Sequence, residues 1–367
     1  MASTRQKADY TLLVTVIVII LFGLVMLASA SSVLGFEKFK DSNYYVKHQM
    51  LYGVLVGAAA LIIMTKIDYH KWKKYAFVMM AGTILLLLAV LIPGIGFGYG
   101  GANRWVTFGP LILQPTEVLK LVLILYLSTL FTKNIEGIRD TAYGLMPFLI
   151  ILGAIIFLIM RQPDMGTMIT IAATAIIVFF VAGAPIKHLA WIFFGATGLM
   201  FLLIKIAPYR AQRLTVFLNP ALDPQGIGYH INQALMAIGS GGILGLGLGH
   251  SRQKYLYLPE VTGDSIFAIV AEELGLIFCI LLIILFLVLL YRGLKIAKNA
   301  PDMYGRLIAT GITAWIVIQA FINIGAMVTL LPLTGIPLPF ISYGSSALVT
   351  TMAAIGVLLN ISKQVKT

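Results

Sequence analysis

The sequence is poor in charge and contains a single cysteine. Only 11% of its 367 residues are Asp, Glu, Lys or Arg, whereas 60% are hydrophobic and the mean hydropathy is +0.97. Soluble domains carry about 25% charged residues, so this composition excludes an ordinary soluble enzyme. Cys279 lies inside an apolar run, which excludes an internal disulfide and favours a packing role for this side chain.

Several common catalytic motifs are also missing. The five histidines are scattered, and there is no His-Glu-x-x-His sequence and no Cys/His cluster, so no metal-binding set of side chains is predicted. There is no Walker loop, and the glycine-rich runs 94–101 and 245–249 lack the strand–turn–helix context of a nucleotide site. Ser240 misses the Gly-x-Ser-Gly pattern of intramembrane serine proteases by one position. A nucleotide-dependent enzyme and a serine protease are therefore both disfavoured.

Long apolar runs dominate the sequence instead. Ten of them are long enough to cross a hydrocarbon core about 30 Å thick as α-helices. Their approximate limits are 10–31, 47–66, 74–93, 112–131, 142–160, 166–183, 187–206, 265–291, 305–330 and 340–361. This pattern predicts an all-α membrane protein with ten transmembrane helices in one domain, residues 1–367. The first run resembles a signal peptide that ends at Ala28-Ser29-Ala30, but its length favours a retained helix.

The basic residues predict the orientation. The net charge is +12, and most lysines and arginines lie in short connectors that fall on one side of the membrane. Such connectors face the cytoplasm, so both termini are predicted to be cytoplasmic. Placement at helix ends also argues against nucleic-acid binding. The opposite side receives a large extracytoplasmic loop, residues 207–264, between the seventh and eighth helices.

Asp264 closes this loop, directly before the eighth apolar run. Aspartate is among the best helix N-cap residues, so one interpretation is purely structural. The other is a general base at the membrane surface, and the two roles are compatible. A substrate for an extracytoplasmic enzyme must arrive already activated, because cytosolic nucleotides are absent there. Lipid-linked phosphates meet that requirement.

Four charged residues lie inside predicted spans and away from the span ends, where an unpaired charge costs about 2.5–3.5 kcal/mol or more. Glu272 and Glu273 lie two turns into the eighth span, and Glu117 and Lys120 lie three residues apart in the fourth. Each pair of positions allows either a structural ion pair or a role beside the site.

Basic side chains on the predicted outer side are candidates for phosphate binding. Arginine suits this role because its planar fork binds two oxygens at once. Each of them is equally compatible with anchoring to lipid headgroups. The candidates are Arg104, Arg161, Arg210, Arg213, Arg252 and Lys254.

A series of motifs in this order resembles the SEDS family of cell-shape, division and sporulation proteins, over nearly the whole chain. The motifs are Gly23 to Ser31, Arg104-Trp105, Gln114 to Lys120, Gln162 to Thr167, Phe217 to Pro220 with Asp223-Pro224, Gly239 to Gly242, Ser251 to Asp264, Ala271 to Gly275 and Gly335 to Gly344. This chain has Gly263-Asp264-Ser265 where the family usually has Thr-Asp-Phe, and Gln162 where Glu is common.

The resemblance implies a function and a set of site residues. It implies polymerisation of peptidoglycan glycan strands from lipid II in a bacterial cytoplasmic membrane, with a class B penicillin-binding transpeptidase as partner. It assigns the catalytic carboxylate to Asp264, and a divalent cation (Mg²⁺ or Mn²⁺) is a possible cofactor. The predicted substrate-contacting residues are Arg104, Glu117, Lys120, Arg210, Arg213, Lys254, Glu272 and Ser342. The alternatives are a transporter that flips lipid II and a scaffold that only docks the transpeptidase.

Overall fold

A computed structural model describes residues 8–99, 102–108, 111–206, 215–219, 223 and 226–365. Twelve helices are named in it. They are α1 (Tyr10–Ala30), α2 (Ser32–Phe39), α3 (Tyr44–Lys66, with a π-helical part Gln49–Leu55), α4 (His70–Val90), α5 (Pro115–Lys133), α6 (Thr141–Met160), α7 (Met165–Val181), α8 (Ile186–Ile206), α9 (Ile227–Gly241), α10 (Ile266–Lys298), α11 (Met303–Met327) and α12 (Ser345–Ser362).

The helices agree with the apolar runs of the sequence. Among the described residues, eight helices are long and apolar enough to cross a membrane, and they coincide with eight of the ten predicted spans. The other two predicted spans are also helical, as α7 and α8. A predominantly helical membrane protein is therefore confirmed.

The prediction of an all-α chain misses a small sheet between α4 and α5. Strands β1 (Gly96–Tyr99), β2 (Ala102–Phe108) and β3 (Leu111–Leu113) form an antiparallel sheet in the order β1-β2-β3. Strand pairing gives hydrogen-bond partners to backbone groups that would be hydrogen-bonded to water in an irregular loop. These strands are three to seven residues long, so their alternation is too short to stand out in the sequence.

The predicted large loop also contains regular structure. Helix α9 lies within it and packs against α10. Gly241, at the end of α9, allows a close backbone approach, because a Cβ atom there would lie 1.9 Å from the carbonyl oxygen of Ala271. The loop therefore folds back onto the bundle through α9.

Helix α10 is interrupted at Gly275, which has φ +75° and ψ −174°. The carbonyl groups of Glu272 and Glu273 lose their helical donors there and accept from Leu246 N and Gly247 N, each at 2.9 Å. The two amide groups after the break donate to carbonyl oxygens of residues 242–243, at 3.0 and 3.4 Å. The segment 242–247 thus replaces the hydrogen bonds that the break removes, which is how a broken helix is tolerated inside a bundle.

We expect Gly245→Ala to destabilise this junction by at least about 1–3 kcal/mol. Gly245 has φ +79°, and an added Cβ would lie 2.2 Å from the carbonyl oxygen of Glu273. Gly249→Ala is the matched control, because Gly249 has φ +83° but nothing lies within 4 Å of its Cβ position. Thermal unfolding in detergent should place the Gly245 variant clearly below the Gly249 variant. Equal melting temperatures would contradict the proposed contact.

The bundle brings the two ends of the described chain together. Asp9 N donates to Ser362 Oγ at 3.1 Å, and Arg292 Nη2 lies 2.6 Å from Asp9 Oδ2. The end of α1 that carries Asp9 and the end of α12 that carries Ser362 therefore lie at one end of the bundle. Residues 262–265 lie at the opposite end, which we call the site end.

Candidate active site

Asp264 lies at the site end, in the last turn before α10, and is partly exposed. The N-cap residue of α10 is Ser265, so Asp264 is not the N-cap itself. The carboxylate lies beside Gly335, where an added Cβ would be 3.9 Å from Asp264 Oδ2. Gly335 has φ +72°, a conformation that favours glycine.

Three consecutive carbonyl groups hold the backbone around Asp264. Thr262 O accepts from Tyr343 N at 2.8 Å, and Gly263 O accepts from Ser342 Oγ at 2.6 Å. Asp264 O accepts from Asn323 Nδ2 at 2.8 Å. We call residues 262–264 with these three donors the carboxylate cradle. It fixes the main chain of Asp264 while leaving the side chain partly accessible.

The donors of the cradle are themselves held. Asn323 Nδ2 also donates to Ile336 O at 2.9 Å, which links α11 to the segment 328–344. The Tyr343 hydroxyl contacts His48 Nδ1 at 3.0 Å, and burial raises the pKa of this hydroxyl above its usual value. Tyr343 therefore remains protonated at physiological pH.

Ser342 was predicted to contact substrate, and the structure gives its hydroxyl two partners within the chain. It donates to Gly263 O and accepts from Leu338 N at 2.8 Å. Its side chain is buried. These contacts favour a role in supporting the cradle.

We expect Ser342→Ala to lower kcat for the reaction at Asp264 by about tenfold and to leave KM nearly unchanged. The partly buried Gly263 carbonyl would lose its donor, which loosens the backbone of Asp264. Ser346→Ala is a suitable control, because within the described part of the chain Ser346 Oγ accepts a single, long hydrogen bond, 3.4 Å from Gln114 N. A raised KM with unchanged kcat would instead indicate that Ser342 binds substrate.

Glu272, Glu273 and Lys254 form a buried cluster between α10 and the segment 249–254. Glu273 Oε1 accepts from Lys254 Nζ at 3.0 Å, from Ser29 Oγ at 2.7 Å and from Ser251 N at 3.1 Å. All three charged residues are at most 3% exposed. The ion pair offsets the cost of burying charge in a helix that is otherwise apolar.

Glu272 has different partners from Glu273. It accepts from the Ser251 hydroxyl and from Arg252 N at 2.9 Å, with longer contacts to Gln253 N. The turn 251–254 is therefore bound to α10 by its own backbone amides. Arg252 itself is exposed.

Glu117 and Lys120 form a second buried ion pair, 2.8 Å between Glu117 Oε1 and Lys120 Nζ. Lys120 Nζ also donates to Gln319 Oε1 at 2.8 Å and lies 5.2 Å from the centroid of Trp315. Gln319 Nε2 donates to Pro337 O at 2.9 Å. The pair is therefore connected, through Gln319, to the same segment that supplies the cradle.

Arg104 reaches the turn between α6 and α7. Its Nε donates to Gln162 O at 3.0 Å and one terminal nitrogen donates to Pro163 O at 2.8 Å. In that turn Asp164 caps α7, accepting from Thr167 N at 3.0 Å. Arg210 and Arg213 lie outside the described residues.

Gln319 and Asn323 were not predicted as site residues from the sequence. They lie four residues apart on α11, both are buried, and both bind carbonyl oxygens of the segment 336–337. A signal was available, because uncharged polar residues at helical spacing in an apolar span often form interhelical hydrogen bonds. Ser29 and Ser251 carried no comparable signal.

No group of three or more His, Cys, Asp or Glu side chains that could hold a metal ion occurs in the described part of the chain. Mg²⁺ is often held by one or two carboxylates together with phosphate oxygens of the substrate. Asp264 fits that mode of binding, since its carboxylate is partly exposed.

This fold and site define a class of protein. It is a multi-pass helical membrane protein that holds a partly exposed carboxylate at one end of its bundle. The chain belongs to the cell cycle protein family of FtsW, RodA and SpoVE, whose sequence profile matches residues 10–367. The predicted family resemblance is thus confirmed.

Individual relatives cover nearly the whole chain. Stage V sporulation protein E of Bacillus subtilis is 42% identical over 365 residues, which is 99% of both chains. The probable peptidoglycan glycosyltransferase FtsW of Geobacter metallireducens is 40% identical over 361 residues, 98% of this chain and 96% of that protein.

Solved structures agree with the fold. The rod shape determining protein RodA of Thermus thermophilus has a TM-score of 0.70 and 26% identity, over 98% of each chain. A chain of a peptidoglycan synthase complex, solved in work on the structural coordination of polymerization and crosslinking, has a TM-score of 0.81 and 26% identity over 97% of each chain.

Proposed function

We propose that this chain is a peptidoglycan glycosyltransferase that polymerises lipid II into β-1,4 glycan strands at the outer face of the cytoplasmic membrane. The observation that carries the proposal is the carboxylate cradle, which holds a partly exposed Asp264 by three main-chain carbonyl groups. A general base needs this combination of a fixed position and access to substrate. The names of the relatives support the same activity.

In the proposed step, Asp264 accepts the proton of the GlcNAc 4-hydroxyl of the acceptor. The resulting oxygen attacks the anomeric carbon of the donor MurNAc, the new C–O bond forms, and the bond to undecaprenyl diphosphate breaks. Attack from the opposite face inverts the α-linkage to β. Many glycosidases need a second carboxyl group to protonate the leaving group, but diphosphate leaves as an anion, so one base is sufficient.

The leaving diphosphate requires positive charge instead of a proton. Arg104, Arg210 and Arg213 are the arginines that we propose for this role. A divalent cation held by the diphosphate oxygens would supply positive charge of the same kind and would stabilise the developing negative charge.

The other predicted substrate contacts would have to exchange partners to reach a substrate. Lys254 is buried and paired with Glu273 of α10, and Glu272 of α10 is buried and accepts from Arg252 N. Glu117 and Lys120 are bound to each other. We propose that all four residues hold segments of the site in place. Ser342 has the same kind of role in the cradle.

For the topology, we propose ten transmembrane helices in one domain of residues 1–367, with both termini cytoplasmic. The bonds of Asp9 to Ser362 and Arg292 support an even number of crossings. The site end would then face outward, together with the large loop at residues 207–264. A class B penicillin-binding transpeptidase is the proposed partner, because one similar solved chain comes from a complex that coordinates polymerization and crosslinking.

A lipid II assay tests the function directly. Purified protein in proteoliposomes, with and without a class B transpeptidase, should convert labelled lipid II into glycan strands that separate by gel electrophoresis. Addition of EDTA, followed by Mg²⁺ or Mn²⁺, tests the cation. Movement of labelled lipid II between leaflets without any strand formation would instead indicate a lipid transporter.

A further inference from the structure

A short hydrogen-bonded path connects Asp264 to α9. His230 Nε2 lies 2.6 Å from Ser265 Oγ, and Ser265 Oγ donates to Asp264 Oδ1 at 3.4 Å. Ser265 is completely buried, whereas His230 and Asp264 are partly exposed. The hydroxyl that touches the carboxylate is thus shielded from water, so its orientation depends on the side chains around it.

The Ser265 hydroxyl group has a single proton, so its orientation depends on His230. A serine hydroxyl has one proton, and a carboxylate oxygen such as Asp264 Oδ1 can only accept it. When the serine proton points to the carboxylate, the short contact to His230 Nε2 uses a proton of the imidazole, so that Nε2–H donates to Ser265 Oγ. The opposite arrangement would turn the serine proton toward the imidazole and remove a donor from the carboxylate.

The backbone on both sides of this path is held. Ser265 N donates to Glu260 O at 3.2 Å, and Asp264 O is bound by Asn323. Helix α9, which carries His230, is packed against α10 at the close approach of Gly241 to Ala271. His230 and Ser265 therefore meet because α9 folds back onto the bundle, and neither residue needs to move to make the contact.

We propose that His230 is a positioning residue for Asp264, acting through the hydroxyl of Ser265. The imidazole fixes the serine rotamer, and the serine hydroxyl holds one carboxylate oxygen in place. The other oxygen, Oδ2, lies beside Gly335, 3.9 Å from the position of an added Cβ. This inference rests on the proposed function, in which Asp264 is the general base.

The test uses four variants of the full-length protein in the lipid II assay: His230→Phe, His230→Gln, Ser265→Ala and the double variant His230→Phe/Ser265→Ala. A glutamine amide nitrogen can take the place of Nε2 as donor, whereas phenylalanine cannot donate. We expect His230→Phe and Ser265→Ala each to lower kcat by about tenfold or more, with KM within about twofold of wild type. His230→Gln should keep most of the activity.

The double variant separates a shared path from two independent defects. If His230 acts only through Ser265, the double variant should be no slower than the slower single variant. Melting temperatures in detergent, measured on the same samples, correct the rates for folded protein. The inference is overturned if His230→Phe keeps wild-type kcat, if His230→Gln is as slow as His230→Phe, or if the two single effects multiply.

Asp264→Asn in the same series distinguishes failure of the positioning role of His230 from failure of the general-base role of Asp264. An inactive Asp264→Asn together with unimpaired His230→Phe would remove the positioning role and leave the proposed function intact. A fully active Asp264→Asn would remove Asp264 as the general base and the positioning role with it. Absence of glycan strands from the wild-type protein would remove the proposed function itself.

Discussion

Replacing Asp264 by Asn is expected to reduce the rate of glycan polymerisation by about 10²- to 10⁴-fold, the usual contribution of a positioned general base. Asparagine has nearly the same shape as aspartate but cannot accept the proton. The cradle binds the main-chain carbonyl groups of residues 262–264, so the substitution leaves its three hydrogen bonds in place. The loss should therefore appear in kcat, without a matching loss of thermal stability.

Glu260→Gln provides the matched control for this experiment. Glu260 is an exposed carboxylate four residues earlier in the same segment, and its contacts to Gly263 N and Ser265 N use the main-chain oxygen. The same chemical change there should leave polymerisation close to wild type. A wild-type rate for Asp264→Asn, or an equal loss of polymerisation rate in both variants, would contradict the assignment of Asp264 as the base.

Replacing Glu273 by Met is expected to give the largest loss of stability, about 3–5 kcal/mol. The substitution leaves the Lys254 ammonium group buried without its carboxylate, and it removes the acceptor of Ser29 Oγ and Ser251 N. The segment 249–254 would lose its attachment to α10 at this point. The apparent melting temperature of the purified protein measures the effect.

Two further variants identify the cause of that loss. The double variant Glu273→Met/Lys254→Met removes both charges, so it should regain part of the stability that Glu273→Met loses. Asp41→Asn breaks the exposed ion pair with Lys47, whose side chains are 37% and 68% exposed, and should hardly change the melting temperature. If Glu273→Met melts no lower than Asp41→Asn, the buried pair does not have the structural role proposed for it.

Much of the helical framework follows from the sequence by itself. A segment in lipid must make its backbone hydrogen bonds internally, so a sufficiently long apolar run forms a helix. The limits of α5 and α11 were predicted to within about three residues for this reason. The sequence also singled out Asp264, Glu272, Glu273, Glu117 and Lys120, because ionisable residues in or beside apolar helices are rare and need a partner.

The hydrogen-bond and ion-pair partners of these residues could not be predicted from the sequence. Ser342 and Asn323 bind carbonyl groups 79 and 59 residues away along the chain, and Lys254 pairs with Glu273, a residue of another segment. Periodicity reports which face of a helix is apolar, and it carries no information about which distant segment covers that face.

The same limit applies to the break in α10 and to the contact between His230 and Ser265. Apolar residues continue on both sides of Gly275, so the pattern reads as one helix, and the break exists because the segment 242–247 supplies the missing hydrogen bonds. The sequence therefore determined that this protein is a membrane bundle with a carboxylate at the start of a span. Only the tertiary structure decided what braces that carboxylate, since hydrogen-bond partners are chosen by proximity in space.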